Sequence, residues 1–336
     1  MGARVRDGAP VSTERHEPNS VVTPDAMPRR LWLWALLVGG TVLLIAAFIT
    51  EITEDLILVP NLILVGSFLV PVCTVLWVLA RPHETHLTIE MLVLGFLAGG
   101  TVGVVFTAVT EVYLLPDVVA TNWAIGLIEE GGKLAILLLV ASLVQTRVPR
   151  DGMALGATVG AGFAAFETAG YVFRALVEHA GEHDVFNILE TEAFRGALAP
   201  FGHITWTAIL GGAIFASAWH TGRFRLDRRV GWTLVGVIAL HALWDSSYGL
   251  AIRGSQWLAG DGLQFDWPNT AAWVGTPTGA DLTRFTVAYD TLLAILGIIG
   301  AVWAIRRWRA YEIHRWTAAH PRAEAAEPGA EQPAIA

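Results

Sequence analysis

Apolar residues in this chain come in long blocks, not in the short alternating runs of a water-soluble fold. The blocks fall at about residues 31–50, 56–80, 90–115, 118–145, 152–178, 197–219, 230–251 and 285–307. Each is long enough for a helix rising about 1.5 Å per residue to cross about 30 Å of hydrocarbon. Pro60, Pro71, Gly99 and Gly100 fall inside blocks, which membrane helices tolerate when neighbours satisfy the freed backbone groups. The pattern predicts an all-α, polytopic transmembrane helical bundle of about eight helices. Residues 1–28 and 318–336 lack apolar periodicity and read as disordered tails around a membrane domain at 29–317. The first block exceeds a signal-peptide core, and no small-residue cleavage site follows it, so it reads as a retained helix.

Arginine placement gives the orientation, because cytoplasmic loops of membrane proteins are enriched in positive residues. Seventeen arginines lie in one alternating set of segments, from Arg4, Arg29 and Arg30 through Arg81, Arg147, Arg150 and Arg223–Arg229 to Arg306–Arg322. The opposite set holds Arg195, Arg253 and Arg284, with Arg174 near a helix end, beside acidic stretches at 51–55 and 178–192. Both termini are therefore expected in the cytoplasm. Segments 178–192 and 253–284 read as outer loops, the second with Trp257, Trp267 and Trp273 suited to the membrane interface.

Composition narrows the class further. Of 336 residues, 54% are apolar and only 15% charged, which leaves no room for a large soluble domain. The net charge of −8 says little, because charges are sorted by side, and nothing suggests nucleic-acid binding. The expected surroundings are the lipid bilayer. One cysteine, Cys73, excludes a disulfide framework and a thiolate metal site. One lysine against 21 arginines hints at a GC-rich bacterial genome.

An ionisable residue inside a span costs at least a few kcal/mol and needs a reason. Four blocks concentrate such residues, and the rest are nearly free of them inside. The fourth carries Glu129-Glu130-Gly131-Gly132-Lys133, with the only lysine in mid-span. A structural ion pair would explain Glu129 and Lys133, which share a helical face, but not the second acid. Two crowded carboxylates are how a general base or a protonated acid is made. The fifth block carries Phe166-Glu167, with Tyr171 one turn on. Gly152, Gly156 and Gly160 upstream form a small-residue stripe that turns Glu167 into the bundle. The sixth carries His203, and the seventh His241 and Asp245 at i, i+4, a spacing for a carboxylate-oriented imidazole or two ligands of one metal. Counted along the helices, these residues lie about 9–17 Å below the outer ends of their spans. Scattered packing pairs would not agree in depth; a single site would.

The residue types suit amide hydrolysis, which needs an activated water and a stabilised oxyanion. Glu129, held ionised by Lys133, is the expected base. Glu130 would donate a proton or bind a metal, and His203 and His241 would hydrogen-bond the oxyanion. Alternatively the histidines bind zinc together with Glu130, Glu167 or Asp245; without an HExxH sequence, the set permits zinc but does not demand it. Buried acids and histidines also make proton relays, so a proton-coupled transporter is the alternative, although no internal repeat is visible. A non-catalytic scaffold would not need buried charges at one depth.

Taken in order, Glu-Glu-x-x-Lys, Phe-Glu-x-x-x-Tyr, an isolated His and His-x-x-x-Asp resemble the PrsW family of intramembrane proteases, related to the CAAX-prenyl proteases and Abi membrane proteins. The resemblance covers about residues 85–255. It implies an endopeptidase of the bacterial cytoplasmic membrane acting on a membrane-anchored protein near the extracytoplasmic face, in the manner of a site-one protease of anti-sigma-factor signalling. It also implies Glu129 and Glu130 as catalytic acids, with Glu167, His203, His241 and Asp245 around them and Lys133 and Tyr171 in support. CAAX-type enzymes have a His four residues after the Phe; here Glu167 follows Phe166 directly, so a prenylated substrate is not implied.

Overall fold

A computed structural model describes residues 28–81, 85–115, 121–178, 185–219, 222–260, 273 and 275–319. Among them run ten α-helices and no β-strand element: α1 Leu31–Thr53, α2 Val59–Leu79, α3 Ile89–Leu97, α4 Val104–Leu114, α5 Thr121–Ala141, α6 Pro149–Glu178, α7 Val185–Leu198, α8 His203–Ala218, α9 Arg228–Ala259 and α10 Gly279–Ala319. A π-helical turn over Ala98–Gly103 joins α3 to α4, and a 3-10 turn over Ala199–Phe201 leads from α7 to α8. Each predicted block contains helix among its described residues. The expected N-terminal tail and most of the C-terminal one lie outside the described residues, but α10 continues to Ala319.

Among the described residues, six stretches are long and apolar enough to cross a membrane: α1, residues 56–79, α3–α4, α7–α8, α9, and α10 as far as Glu312. Helices α5 and α6 fall outside that set for different reasons. Helix α5 carries Glu129, Glu130 and Lys133. Helix α6 is built largely of glycine and alanine, and every residue from Pro149 to Ala165 is buried. A helix sheathed by protein has no lipid to satisfy, so it needs small side chains more than apolar ones.

The small-residue stripe sets the spacing of the centre. A Cβ placed on Gly152, Gly156 or Gly160 would stand 2.4, 2.2 and 2.3 Å from the carbonyl oxygens of Gly211, Thr207 and His203 on α8. On the other side, a Cβ on Gly162 would stand 1.9 Å from the Phe96 carbonyl oxygen, and one on Gly99 would stand 2.3 Å from that of Val159. Helix α6 thus meets α8 and the α3–π segment backbone to backbone. The π turn falls where Gly99, Gly100 and Gly103 leave its backbone free of side-chain crowding.

Two expectations change. Segment 178–192 is not simply a loop, since α7 begins at Val185. Val185, Ile188, Glu192 and Gly196 recur at helical spacing and bury one face, a pattern the acidic residues disguise. The sixth block therefore starts before 197 and is broken at Ala199–Gly202, which places His203 in the middle of a long span. Segment 253–284 is also shorter than expected. Helix α9, capped at its start by the Asp227 carboxylate, runs on to Ala259 and stops at Gly260 (φ +93°). Helix α10 starts at Gly279. Trp257 is exposed on the end of α9, Trp273 packs edge-on against Phe285, and Trp267 lies outside the described residues.

The packing predicts opposite outcomes for two glycines of α6. Gly160→Ala pushes α6 from α8 and should cost about 1–3 kcal/mol. Gly170→Ala meets nothing within 4 Å and should be neutral or slightly stabilising through helix propensity. Melting temperatures of the purified variants in detergent check the contrast, and equal effects would contradict the close α6–α8 contact.

Candidate active site

Helix α5 supplies three of the central side chains because Glu129 and Glu130 sit four and three residues before Lys133, both within reach of its amine. Lys133 Nζ donates to Glu129 Oε2 at 2.9 Å and to Glu130 Oε1 at 2.8 Å. It lies 2.8 Å from His203 Nδ1, and 3.9 Å from the centre of the Phe163 ring. Lys133 and Glu130 are fully buried, whereas Glu129 keeps 7% of its surface. Removing one partner from such a group leaves an uncompensated buried charge, at a cost of about 3–5 kcal/mol.

The two histidines arrive from different helices in the same pose. His203 opens α8, just past the break, and turns Nδ1 to the centre while Nε2 lies 3.1 Å from Glu167 Oε2 on α6. His241 on α9 sets Nδ1 2.9 Å from Glu130 Oε1, while Nε2 lies 3.3 Å from Asp245 Oδ2 and 3.7 Å from Glu129 Oε2. Each imidazole thus turns Nδ1 to the centre, His203 onto the Lys133 amine and His241 onto Glu130, and sets Nε2 against a carboxylate behind it. Trp206 packs against both rings, with centroids 5.4 Å from His203 and 4.9 Å from His241.

Glu167 is held from outside by a residue that the sequence reading assigned to a loop. Arg195 on α7 donates from Nη2 to Glu167 Oε2 at 2.9 Å and from Nε to Thr168 Oγ1 at 3.2 Å. Its guanidinium lies 4.1 Å from the centre of the Tyr171 ring. Tyr171 itself is 47% exposed and forms the floor under Arg195. The structure therefore gathers Glu129, Glu130, Lys133, Glu167, His203, His241 and Asp245 into one contact network and adds Arg195, Phe163 and Trp206. Helical periodicity across 185–198 was the signal that would have turned Arg195 inward.

Glu129, Glu130, His203 and His241 each offer one ligand atom, and these atoms all lie within 4.8 Å of one another. Glu167 and Asp245, expected as possible ligands, stand outside this group against the far imidazole nitrogens. Carboxylates in that position fix ring orientation and raise ligand basicity.

Residues 83–265, more than half of the chain, match the family model described as PrsW family intramembrane metalloprotease. No curated protein and no solved structure matches the chain.

The half-buried Arg195–Glu167 pair yields a stability prediction. Arg195→Gln should cost about 1–3 kcal/mol, less than a fully buried pair because both side chains keep some exposure. Glu167→Gln in the same chain should recover part of that loss. A double-mutant cycle on thermal unfolding reads the coupling; additive losses would mean the pair does not act as one unit.

Proposed function

This chain belongs to the PrsW family of intramembrane metalloproteases, and we propose that it is an endopeptidase that cuts membrane-anchored proteins near the extracytoplasmic face of the bacterial cytoplasmic membrane. Membership makes it a peptidase of a membrane. The further reading, of Glu129 as the base, of eight spans and of cytoplasmic termini, is ours. Arginine sidedness supports the orientation. A site-one role in anti-sigma-factor signalling follows from the family resemblance.

One observation carries the chemical reading: two imidazoles face a pair of buried carboxylates joined by Lys133, and each ring is backed by its own acid. The donors fit a metal. Nitrogen and carboxylate oxygen are ligands that zinc accepts, and Glu130 Oε2 is buried without a hydrogen-bond partner. Among the network's residues, four carboxylates face the two cations Lys133 and Arg195. With both imidazoles neutral, as metal ligands must be, the network is two positive charges short of balance, the deficit that a divalent ion fills. Glu130, His203 and His241 would hold the ion, leaving a position open. When bound there, the metal supplies Lewis-acid polarisation of the scissile carbonyl and lowers the pKa of a water.

The protein's own groups do the rest. Glu129 is the more accessible of the two acids, so it takes the proton of the attacking water and passes it to the leaving amine. Asp245 and Glu167 hold the imidazoles of His241 and His203 in register. Arg195 fixes Glu167, and Trp206 blocks rotation of both rings. The wall of Phe163 and Trp206 keeps bulk water away and so strengthens these interactions.

Co-expression with single-span substrates tagged at both ends tests the reading. A fragment should appear with the wild type and fall by about 10²–10⁴-fold with Glu129→Gln, the usual contribution of a general base. Equal fragments from both would remove Glu129 from the mechanism. Separately, Asp245→Asn or Glu167→Gln should weaken zinc binding by about 10–100-fold, as loss of a carboxylate behind a ligand does. Unchanged affinity would show that these acids do not support the ligands.

A further inference from the structure

The centre of the donor group is taken by a side chain. Lys133 Nζ touches Glu129 Oε2, Glu130 Oε1 and His203 Nδ1 at 2.8–2.9 Å. Two of these atoms, on Glu130 and His203, belong to residues that would hold the metal. His203 Nδ1 stands 4.0 Å from Glu129 Oε2 and 3.9 Å from Glu130 Oε1. Those spacings suit an ammonium, whose hydrogen bonds are long. A metal bonded to nitrogen and oxygen at about 2.0–2.2 Å would draw tetrahedral donors to about 3.4 Å from one another. It would lie in the space that Nζ fills, and two positive centres that close repel strongly.

A second position for the amine is already built. Glu130 Oε2 is buried and has no partner, although the same carboxylate's Oε1 takes bonds from both Lys133 and His241. It is the other oxygen of the carboxylate that the amine already holds, so Nζ can pass onto it without leaving Glu130 and with the carboxylate between it and the metal. The Phe163 ring offers its electron-rich face to the cation on the way. In that second position the lysine would sit behind a ligand, as the carboxylates sit behind the imidazoles, and Glu130 would bridge metal and amine.

We propose that Lys133 is an exchangeable internal cation. It occupies the metal position in the metal-free protein and moves onto Glu130 Oε2 when a divalent ion binds, so that the paired acids are never left without a countercharge. This rests on the metal-dependent reading of the site and adds to it a switch that sets how tightly the ion is held. The device explains why a lysine lies at the heart of a metal-ligand set, and why one oxygen of the most deeply buried acid has no partner.

Lys133 is the only lysine in the chain, so its exchange can be followed in the unmodified protein. Isotope-labelled lysine gives one side-chain signal in the tag-free protein in detergent micelles. Adding zinc should convert that signal to a second one, saturating at one ion per chain. Lys133→Met, which keeps length and removes charge, should bind zinc at least about tenfold more tightly than the wild type in a chelator competition. Stoichiometric zinc binding with an unmoved lysine signal would overturn the exchange and leave the metal-dependent reading standing. So would equal or weaker affinity of a folded Lys133→Met protein. Failure of the wild type and the variant to bind zinc would overturn both. If Lys133→Met does not fold, the lysine signal of the wild type decides alone.

Discussion

A fully buried ammonium must be matched within hydrogen-bond distance, and the architecture is organised around meeting that condition at Lys133. An unpaired ion in this environment costs several kcal/mol, a large fraction of the stability of any domain. Its partners therefore have to arrive together. Two come from the same helix, at the spacings where i, i+3 and i, i+4 side chains converge. The third, His203, comes from α8, and its arrival depends on a contact some distance away: the glycine stripe of α6, which brings α8 close enough for its first residue to reach the amine.

That dependence accounts for the unusual makeup of the two central helices. Helix α6 is rich in small residues because its N-terminal half, Pro149 to Ala165, is buried in protein along its whole length. Helix α5 carries three charges because it forms one wall of the site. The break between α7 and α8 follows the same logic. Non-helical backbone at membrane depth is tolerated when it is buried in protein. Here the break frees His203 to open a helix beside the acids, and the Thr205 hydroxyl bonds to the Pro200 carbonyl across the turn. A broken helix is a feature shared with transporters. Family membership and a pair of acids backed by two oriented imidazoles favour hydrolysis instead.

Charge alternates outward from the centre: Lys133, then Glu129 and Glu130, then the imidazoles, then Glu167 and Asp245, then Arg195. Each group is positioned by one of opposite or complementary character, so few side chains in the network are free to turn. A site preorganised in this way loses little to reorganisation when a substrate carbonyl develops charge, which is where electrostatic catalysis gains most. Burial of Glu130 beside a partly accessible Glu129 divides the labour between two acids of the same helix.

Apolar block length and the placement of charges within blocks were enough to read a helical membrane protein and to single out Glu129, Glu130, Glu167, His203, His241 and Asp245, which the fold brings together, because hydrocarbon thickness and the cost of intramembrane charge act on sequence locally. The glycine stripe was legible for the same reason: close packing requires small residues at a helical repeat. Arg195 was not, since its segment is acidic and resembles a loop until α7 is seen to bury one face. Nor could local rules tell which of Glu130, Glu167 and Asp245 approaches the centre and which stands behind an imidazole. That choice depends on the rotation of four helices about their axes. The break before His203 and the seating of Lys133 among the donors are likewise properties of the packed bundle. They arise where segments distant in sequence must together satisfy one buried charge, a condition that no single segment contains.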